Sequence, residues 1–127
     1  LFHHGVFERF PKVKVVVLES QAGWIGSLLD RMDAVWHGPL EASTNLKHPP
    51  RFYWDRQCWI SADPDERALT HIIESIGADK FFWASDYPHP DHTDDYIDSL
   101  KTLIAPLSTQ TRMKIMGENV RRVYKLD

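Results

Sequence analysis

The alternation of strand-like and helix-like segments predicts an α/β fold built on a parallel sheet with crossover helices. Three observations support this. Residues 13–18 (VKVVVL) and 81–84 (FFWA) are β-branched or aromatic and nearly all apolar, as strands covered on both faces are. A third short apolar run, QCWIS at residues 57–61, lies between them. Apolar residues at helical spacing fill the intervals. Three strands leave two open edges, yet residues 13–18 read as buried on both faces. The sheet therefore calls for further cover, either from chain preceding Leu1 or from a second copy.

Each element has a local reason. After the strand at 13–18, Gly23 opens a segment in which Trp24, Ile25, Leu28, Leu29, Met32 and Trp36 recur at helical spacing. That helix is expected to stop at Gly38-Pro39. Residues 41–55 show no period, are polar and contain Pro49-Pro50, so they read as a long loop of the kind that often has a function. After the strand at 57–61, Asp63-Pro64-Asp65-Glu66 opens a helix. Asp63 is expected as its cap, Pro64 in its first turn, and Glu66 reaching back to the cap N–H. Leu69, Ile72, Ile73 and Ile76 form its buried stripe, and Gly77 is its stop. The third strand spans residues 80–85. Tyr96, Ile97, Leu100, Leu103 and Ile104 mark the next helix, ended by Pro106. Ser108 caps a short helix through Met116, Gly117 breaks it, and residues 119–126 form a last helix.

Composition narrows the function classes. The chain has 127 residues, 43% of them hydrophobic and 26% charged, which fits one globular domain over 1–127. A net charge of -3 gives no basis for a nucleic-acid or anionic-membrane partner. The single cysteine, Cys58, excludes an internal disulfide framework and fits a reducing, cytoplasmic compartment. No apolar run approaches the roughly 20 residues of a membrane helix. Residues 1–10 mix His, Glu and Arg with apolar residues and do not form a signal peptide. The 5 Trp residues are many for this length; they suit a core or the walls of a pocket for a ring-shaped substrate.

The run Phe81-Phe82-Trp83-Ala84-Ser85-Asp86-Tyr87-Pro88-His89-Pro90-Asp91 concentrates the chemistry. A buried strand ends abruptly in an acid, and two prolines then enforce an irregular loop. A carboxylate at the C-terminal mouth of a parallel strand suits a metal ligand or a general base. It suits equally an Asp that caps the following loop through its own backbone. Cys58 lies inside a strand and reads as a small buried residue. Arg51, Tyr53, Trp54 and Arg56 either bind a substrate carboxylate and ring or belong to a solvated loop. Arg121 and Arg122 read as partners of the last helix's C-terminal dipole or of nearby acids.

Four segments together resemble a known family: GVFERFPKVKVVVLES at 5–20, AGWIGSLLDRMD at 22–33, FFWASDYPHPD at 81–91 and GENVRRVY at 117–124. The chain resembles the C-terminal part of the amidohydrolase-related metal-dependent hydrolases, in the branch similar to aminocarboxymuconate-semialdehyde decarboxylase and γ-resorcylate decarboxylase. The resemblance implies about three βα units of a TIM (β/α)₈ barrel plus C-terminal helices. Val13, Gln57 and Lys80 then open the sixth, seventh and eighth strands, and the first five strands lie upstream of Leu1.

The resemblance also implies a site. Asp86 matches the family's eighth-strand aspartate, which binds a divalent metal or activates its bound water. Zn²⁺ is the expected ion, with Mn²⁺ as the other candidate. The family's His-x-His pair and fifth-strand His have no counterpart; His3 and His4 are adjacent and read as surface or helix-end residues. Where the decarboxylase-like members carry a sixth-strand His, this chain has Glu19-Ser20-Gln21. Glu19 is either a second acid–base group, which would need burial or a neighbouring negative charge to work near neutral pH, or a partner for an Arg at the barrel mouth. His89 follows Asp86 at the same mouth, either as a participant or as a loop surface residue. His92 starts the next helix, and Trp24 either walls the pocket or anchors its helix.

Two function classes follow. One is a metal-dependent hydrolase or non-oxidative decarboxylase for a small carboxylated or aromatic substrate, using Asp86, Glu19 and His89, in a homo-oligomer. The other is a catalytically incompetent part of a barrel, stable only as an oligomer.

Overall fold

The computed structural model describes residues 1–39, 44–85, 87–89 and 95–127. One helical turn, α1 (Val6–Arg9), precedes β1 (Val15–Val17). Helices α2 (Ile25–Trp36) and α3 (Pro50–Gln57) lead to β2 (Cys58–Ala62), and α4 (Leu69–Ile76) leads to β3 (Phe81–Trp83). Helices α5 (Tyr96–Ile104), α6 (Thr109–Met113) and α7 (Asn119–Tyr124) follow, with a π-helical segment (Lys114–Glu118) between the last two. The sheet has 3 strands in the order β1-β2-β3, both pairings parallel, with Val16 opposite Trp59 and Ser61 opposite Phe82.

Strand periodicity divides the sheet into two faces. Val15, Val17, Cys58, Ile60, Ala62, Phe81 and Trp83 point to the helices and join the main core. There α2 contributes Ile25 and Leu29, α4 contributes Leu69, Ile73 and Ile76, and α5 contributes Leu100 and Ile104. Val16, Trp59 and Phe82 point the other way and pack on Val120 and Val123 of α7. The Trp59 and Phe82 rings stack with centroids 6.5 Å apart and planes 10° apart. Strand β2 is buried at every residue, whereas β1 is half-buried throughout. Val13 is 45% and Leu18 54% exposed, so the apolar run at 13–18 is not covered on both faces among the described residues. Its composition suits a central strand, and among the described residues it pairs with β2 alone.

Three expectations about elements need correction. Part of the expected loop at 41–55 is helix α3, residues 40–43 lying outside the described residues. Pro49 is extended (ψ 151), and Pro50 sits in the first turn, where its missing N–H costs nothing. Tertiary burial then holds the helix: Tyr53 is 0% and Trp54 2% exposed, while Arg51, Asp55 and Arg56 dilute the apolar period. Second, α4 starts at Leu69 rather than near Asp63. Glu66 does accept the Asp63 N–H at 2.9 Å, but the Asp63 side chain takes the Tyr96 hydroxyl instead of capping a helix. Third, the last helix stops at Tyr124, with Lys125 left-handed (φ 57).

The other stops match the sequence reading. Gly77 ends α4 at φ 104, a conformation that favours glycine. Ser108 Oγ accepts the Thr111 N–H at 3.2 Å and caps α6. Gly117 leaves the helical region and turns the chain into α7. Gly5 (φ 65) is required twice over, since a Cβ there would stand 2.7 Å from the Asn45 carbonyl oxygen.

The C-terminal segment is tied to the start of β3. Asn119, 1% exposed, donates from Nδ2 to the Ala78 carbonyl at 2.7 Å and the Phe81 carbonyl at 2.9 Å. Asp79 pairs with Lys114 at 3.0 Å and Arg122 at 2.9 Å. Burial opposes its ionisation, but these two cations outweigh burial and hold its carboxyl below the ordinary 3.8. Lys14 Nζ donates to the Val123 carbonyl at 2.9 Å, so α7 reaches from β3 to the start of β1.

Two outcomes follow from these ties. Asn119→Ala leaves two carbonyls without their donor and should lower unfolding free energy by about 2–3 kcal/mol, read by urea denaturation. Because Asp79 has a depressed folded-state pKa, its contribution to stability is present above the unfolded value of 3.8 and is lost as pH falls through the folded value. Urea midpoints measured from pH 6 down to pH 2 should therefore fall less for Asp79→Asn than for the native chain.

Candidate functional site at the C-terminal ends of the strands

Parallel pairing brings the three strand ends to one side of the sheet, where the loops after β1, β2 and β3 emerge together. The loop after β1 is a tight turn with Glu19 at φ 53 and Gln21 at φ 54, both left-handed and neither glycine. The Trp24 indole N–H closes it, donating to the carbonyls of Ser20 and Gln21 at 3.0 Å each. Trp24 is thus a helix-entry anchor, 39% exposed. Glu19 is exposed on this turn.

The loop after β2 is anchored by carboxylates. Glu66, 9% exposed, accepts the Ala22 N–H on both oxygens, at 2.9 and 2.8 Å. Asp63 Oδ1 accepts the Tyr96 hydroxyl at 3.1 Å. Burial, and then the Asp63 charge, push the Tyr96 pKa up, so the phenol remains a donor. Sequence reasoning assigned Glu66 only to its own helix. The long-range role has no local signature, because its partner stands 44 residues away.

The loop after β3 begins at Ala84 and Ser85. Asp86, and with it residues 90–94 including Asp91 and His92, lie outside the described residues. Ser85 Oγ accepts the Tyr87 N–H at 3.4 Å, Tyr87 is 88% exposed, and the Tyr87–Pro88 bond is cis. His89 is exposed. Ser85 and Tyr87, which flank Asp86 in sequence, line an open groove of about 500 Å³ with Trp83, Met116, Val120 and Arg121. Glu19 follows β1 and His89 follows β3, the two strands that flank β2.

Several other candidates lie elsewhere. Arg56 donates to the Phe7 carbonyl at 2.6 Å, and Gln57 Nε2 donates to the Phe10 and Val13 carbonyls, at the chain entry to β1. Arg51 pairs with Asp30 at 2.9 Å and Asp33 at 3.4 Å on α2. The Tyr53 hydroxyl donates to Glu8 and accepts the N–H groups of Lys47 and His48 at 3.0 and 3.1 Å. Burial, then Glu8, raise its pKa. These α3 side chains therefore stitch the N-terminal end of the sheet and do not face the strand ends. Cys58 is buried, and its thiol is pushed up to about 12 by that burial. Arg122 is an ion-pair partner of Asp79. His3 and His4 are exposed, their rings edge to face with centroids 5.2 Å apart.

Among the described residues no group of three or more His, Cys, Asp or Glu side chains is placed to hold a metal ion. These residues therefore do not by themselves fit a divalent cation. No helix is long and apolar enough to cross a membrane among the described residues.

Comparison with known proteins places this arrangement. It is similar to an amidohydrolase from Mycobacterium avium subsp. paratuberculosis, at 24% identity and a TM-score of 0.79, over 94% of this chain and 30% of that one. It is similar to 5-carboxyvanillate decarboxylase LigW from Sphingomonas paucimobilis, at 26% identity and a TM-score of 0.78, over 98% of this chain and 37% of that one. A dihydroxybenzoic acid decarboxylase from Polaromonas sp., solved with manganese and the inhibitor 2-nitroresorcinol, matches at 21% identity with a TM-score of 0.73, over 98% and 37%. The chain thus spans about a third of the length of these structures, and its three βα units are part of a TIM-barrel fold. The family model for amidohydrolases matches residues 1–126, and the chain belongs to that family.

Proposed function

We propose that the full-length protein is a metal-dependent hydrolase or non-oxidative decarboxylase acting on a small carboxylated or aromatic substrate, and that this chain supplies Asp86 to its site. The observation that supports the reading is that Ser85 and Tyr87, the sequence neighbours of Asp86, line an open groove after β3, and that Glu19 follows the parallel strand β1. Family membership and the likeness to LigW, a 5-carboxyvanillate decarboxylase, support this class of chemistry. In this reading Asp86 is the acidic side chain offered to a divalent ion, Zn²⁺ or Mn²⁺, whose other ligands come from outside the described residues. Asp86 also holds or moves a proton at the reacting atom, the task for which a carboxylate at a barrel mouth is suited. Glu19 and His89 are secondary participants at the same rim. The exposed apolar residues Phe10, Val13 and Leu18 near β1 support association with further strands or with another protomer.

Metal analysis of the purified full-length protein should find about one Zn²⁺ or Mn²⁺ per chain. Asp86→Asn should lower turnover by about 10²–10⁴-fold, the range lost with an acid–base group. A folded, metal-free full-length protein that is indifferent to this substitution would refute the proposal and favour a non-catalytic barrel. Residues 1–127 alone should show no tight, stoichiometric Zn²⁺ uptake by calorimetry, since one carboxylate does not make a site.

A further inference from the structure

A parallel sheet aligns its strand ends but does not tie together the loops that follow them. In this chain a continuous set of hydrogen bonds does so. Ala22, next to the turn after β1, donates its N–H to both oxygens of Glu66 at 2.9 and 2.8 Å. Oε1 of the same carboxylate accepts the N–H of Asp63, the first residue after β2, at 2.9 Å. Asp63 Oδ1 accepts the hydroxyl of Tyr96 at 3.1 Å. Tyr96 opens α5, the helix that resumes the fold after the β3 loop.

The turn needs this support. Glu19 and Gln21 both hold left-handed backbone conformations, each costing roughly 1 kcal/mol or more for a residue with a Cβ. The Trp24 indole satisfies two carbonyls of the turn. The neighbouring N–H of Ala22 is satisfied by Glu66. A carboxylate that served only its own helix would spend its acceptors there, yet α4 does not begin until Leu69. Glu66 lies almost wholly inside the protein and accepts charge-assisted bonds from two different loops, which are stronger than neutral ones.

The geometry points to Glu66 as a positioning residue that sets where the Glu19–Ser20–Gln21 turn stands relative to the loop after β2 and the start of α5. It acts on Glu19 through the backbone of Ala22 and on the β3 side through Asp63 and Tyr96. Its kinetic consequence rests on the function proposed above, whereas its structural consequence does not.

The test uses the full-length protein and the variants Glu66→Ala and Glu66→Gln. Amide hydrogen exchange is the first readout. Glu66→Ala should speed exchange at Ala22 and Asp63 by about 30-fold while leaving the amides of β1 and β2 protected. Glu66→Gln, which keeps one carbonyl acceptor, should fall between, and it supplies the measurement if Glu66→Ala does not fold. Decarboxylation of 5-carboxyvanillate and 2,6-dihydroxybenzoate is the second readout. Glu66→Ala should lower kcat by about 10–100-fold with KM little changed, as misplacement of reacting groups does, and Glu66→Gln should recover part of the loss. Unchanged exchange at Ala22, or acceleration spread evenly over the whole sheet, would overturn the assignment, as would a kcat equal to that of the native protein. If the native protein turns over neither probe, these two compounds are not its substrates, and exchange at Ala22 alone decides the role of Glu66.

Discussion

Burial of β2 on both faces is the constraint on which the rest of this structure depends. A strand that presents Cys58, Ile60 and Ala62 to one side and Trp59 and Ser61 to the other needs two separate covers. Helices α2, α4 and α5 cover the first face with aliphatic stripes. The second face has no helix beside it in sequence, and α7 arrives from the far end of the chain to cover it with Val120 and Val123. That arrival requires Asn119 to satisfy carbonyls on either side of Lys80 and Asp79 to grip Lys114 and Arg122. Apolar burial supplies the driving force, while directional bonds decide where the covering helix stands.

The two ends of the sheet are stabilised by different chemistry. At the strand starts, α3 works through Arg56 and Gln57 on backbone carbonyls and through Tyr53 on Glu8. At the strand ends, Glu66 accepts N–H groups from two loops, one of which holds the left-handed residues Glu19 and Gln21. Among the described residues Asp63 and Glu66 make these bonds at the strand ends, and Asp86 follows β3 in sequence.

Local signals read well where a residue acts on its own neighbourhood. The alternation of strands and helices, the stops at Gly77 and Gly117 and the Ser108 cap depend on backbone preferences within a few residues. Helix α3 escaped notice because Tyr53 and Trp54 are buried by contacts from distant segments, while the intervening charges erase a helical period. The start of α4 differs because the Asp63 side chain takes the distant Tyr96 hydroxyl instead of capping, while Glu66 serves both the Asp63 and the Ala22 N–H. Arg51 and Arg56 looked suited to a substrate carboxylate, and their side chains are instead committed to Asp30, Asp33 and the Phe7 carbonyl.

The amino-acid sequence alone determined the α/β alternation, the parallel sheet and the likeness to the amidohydrolases, because β-branched runs, helical stripes and the SDYPHPD motif are local patterns. It also singled out Glu19, Asp86 and His89 as residues that follow strands. Only the tertiary structure decided that β2 stands between β1 and β3 among the described residues, that α7 covers the second face and that Glu66 joins segments 44 residues apart. Those features depend on which distant groups meet once the core has formed, and a hydrogen bond between them leaves no periodic trace along the chain.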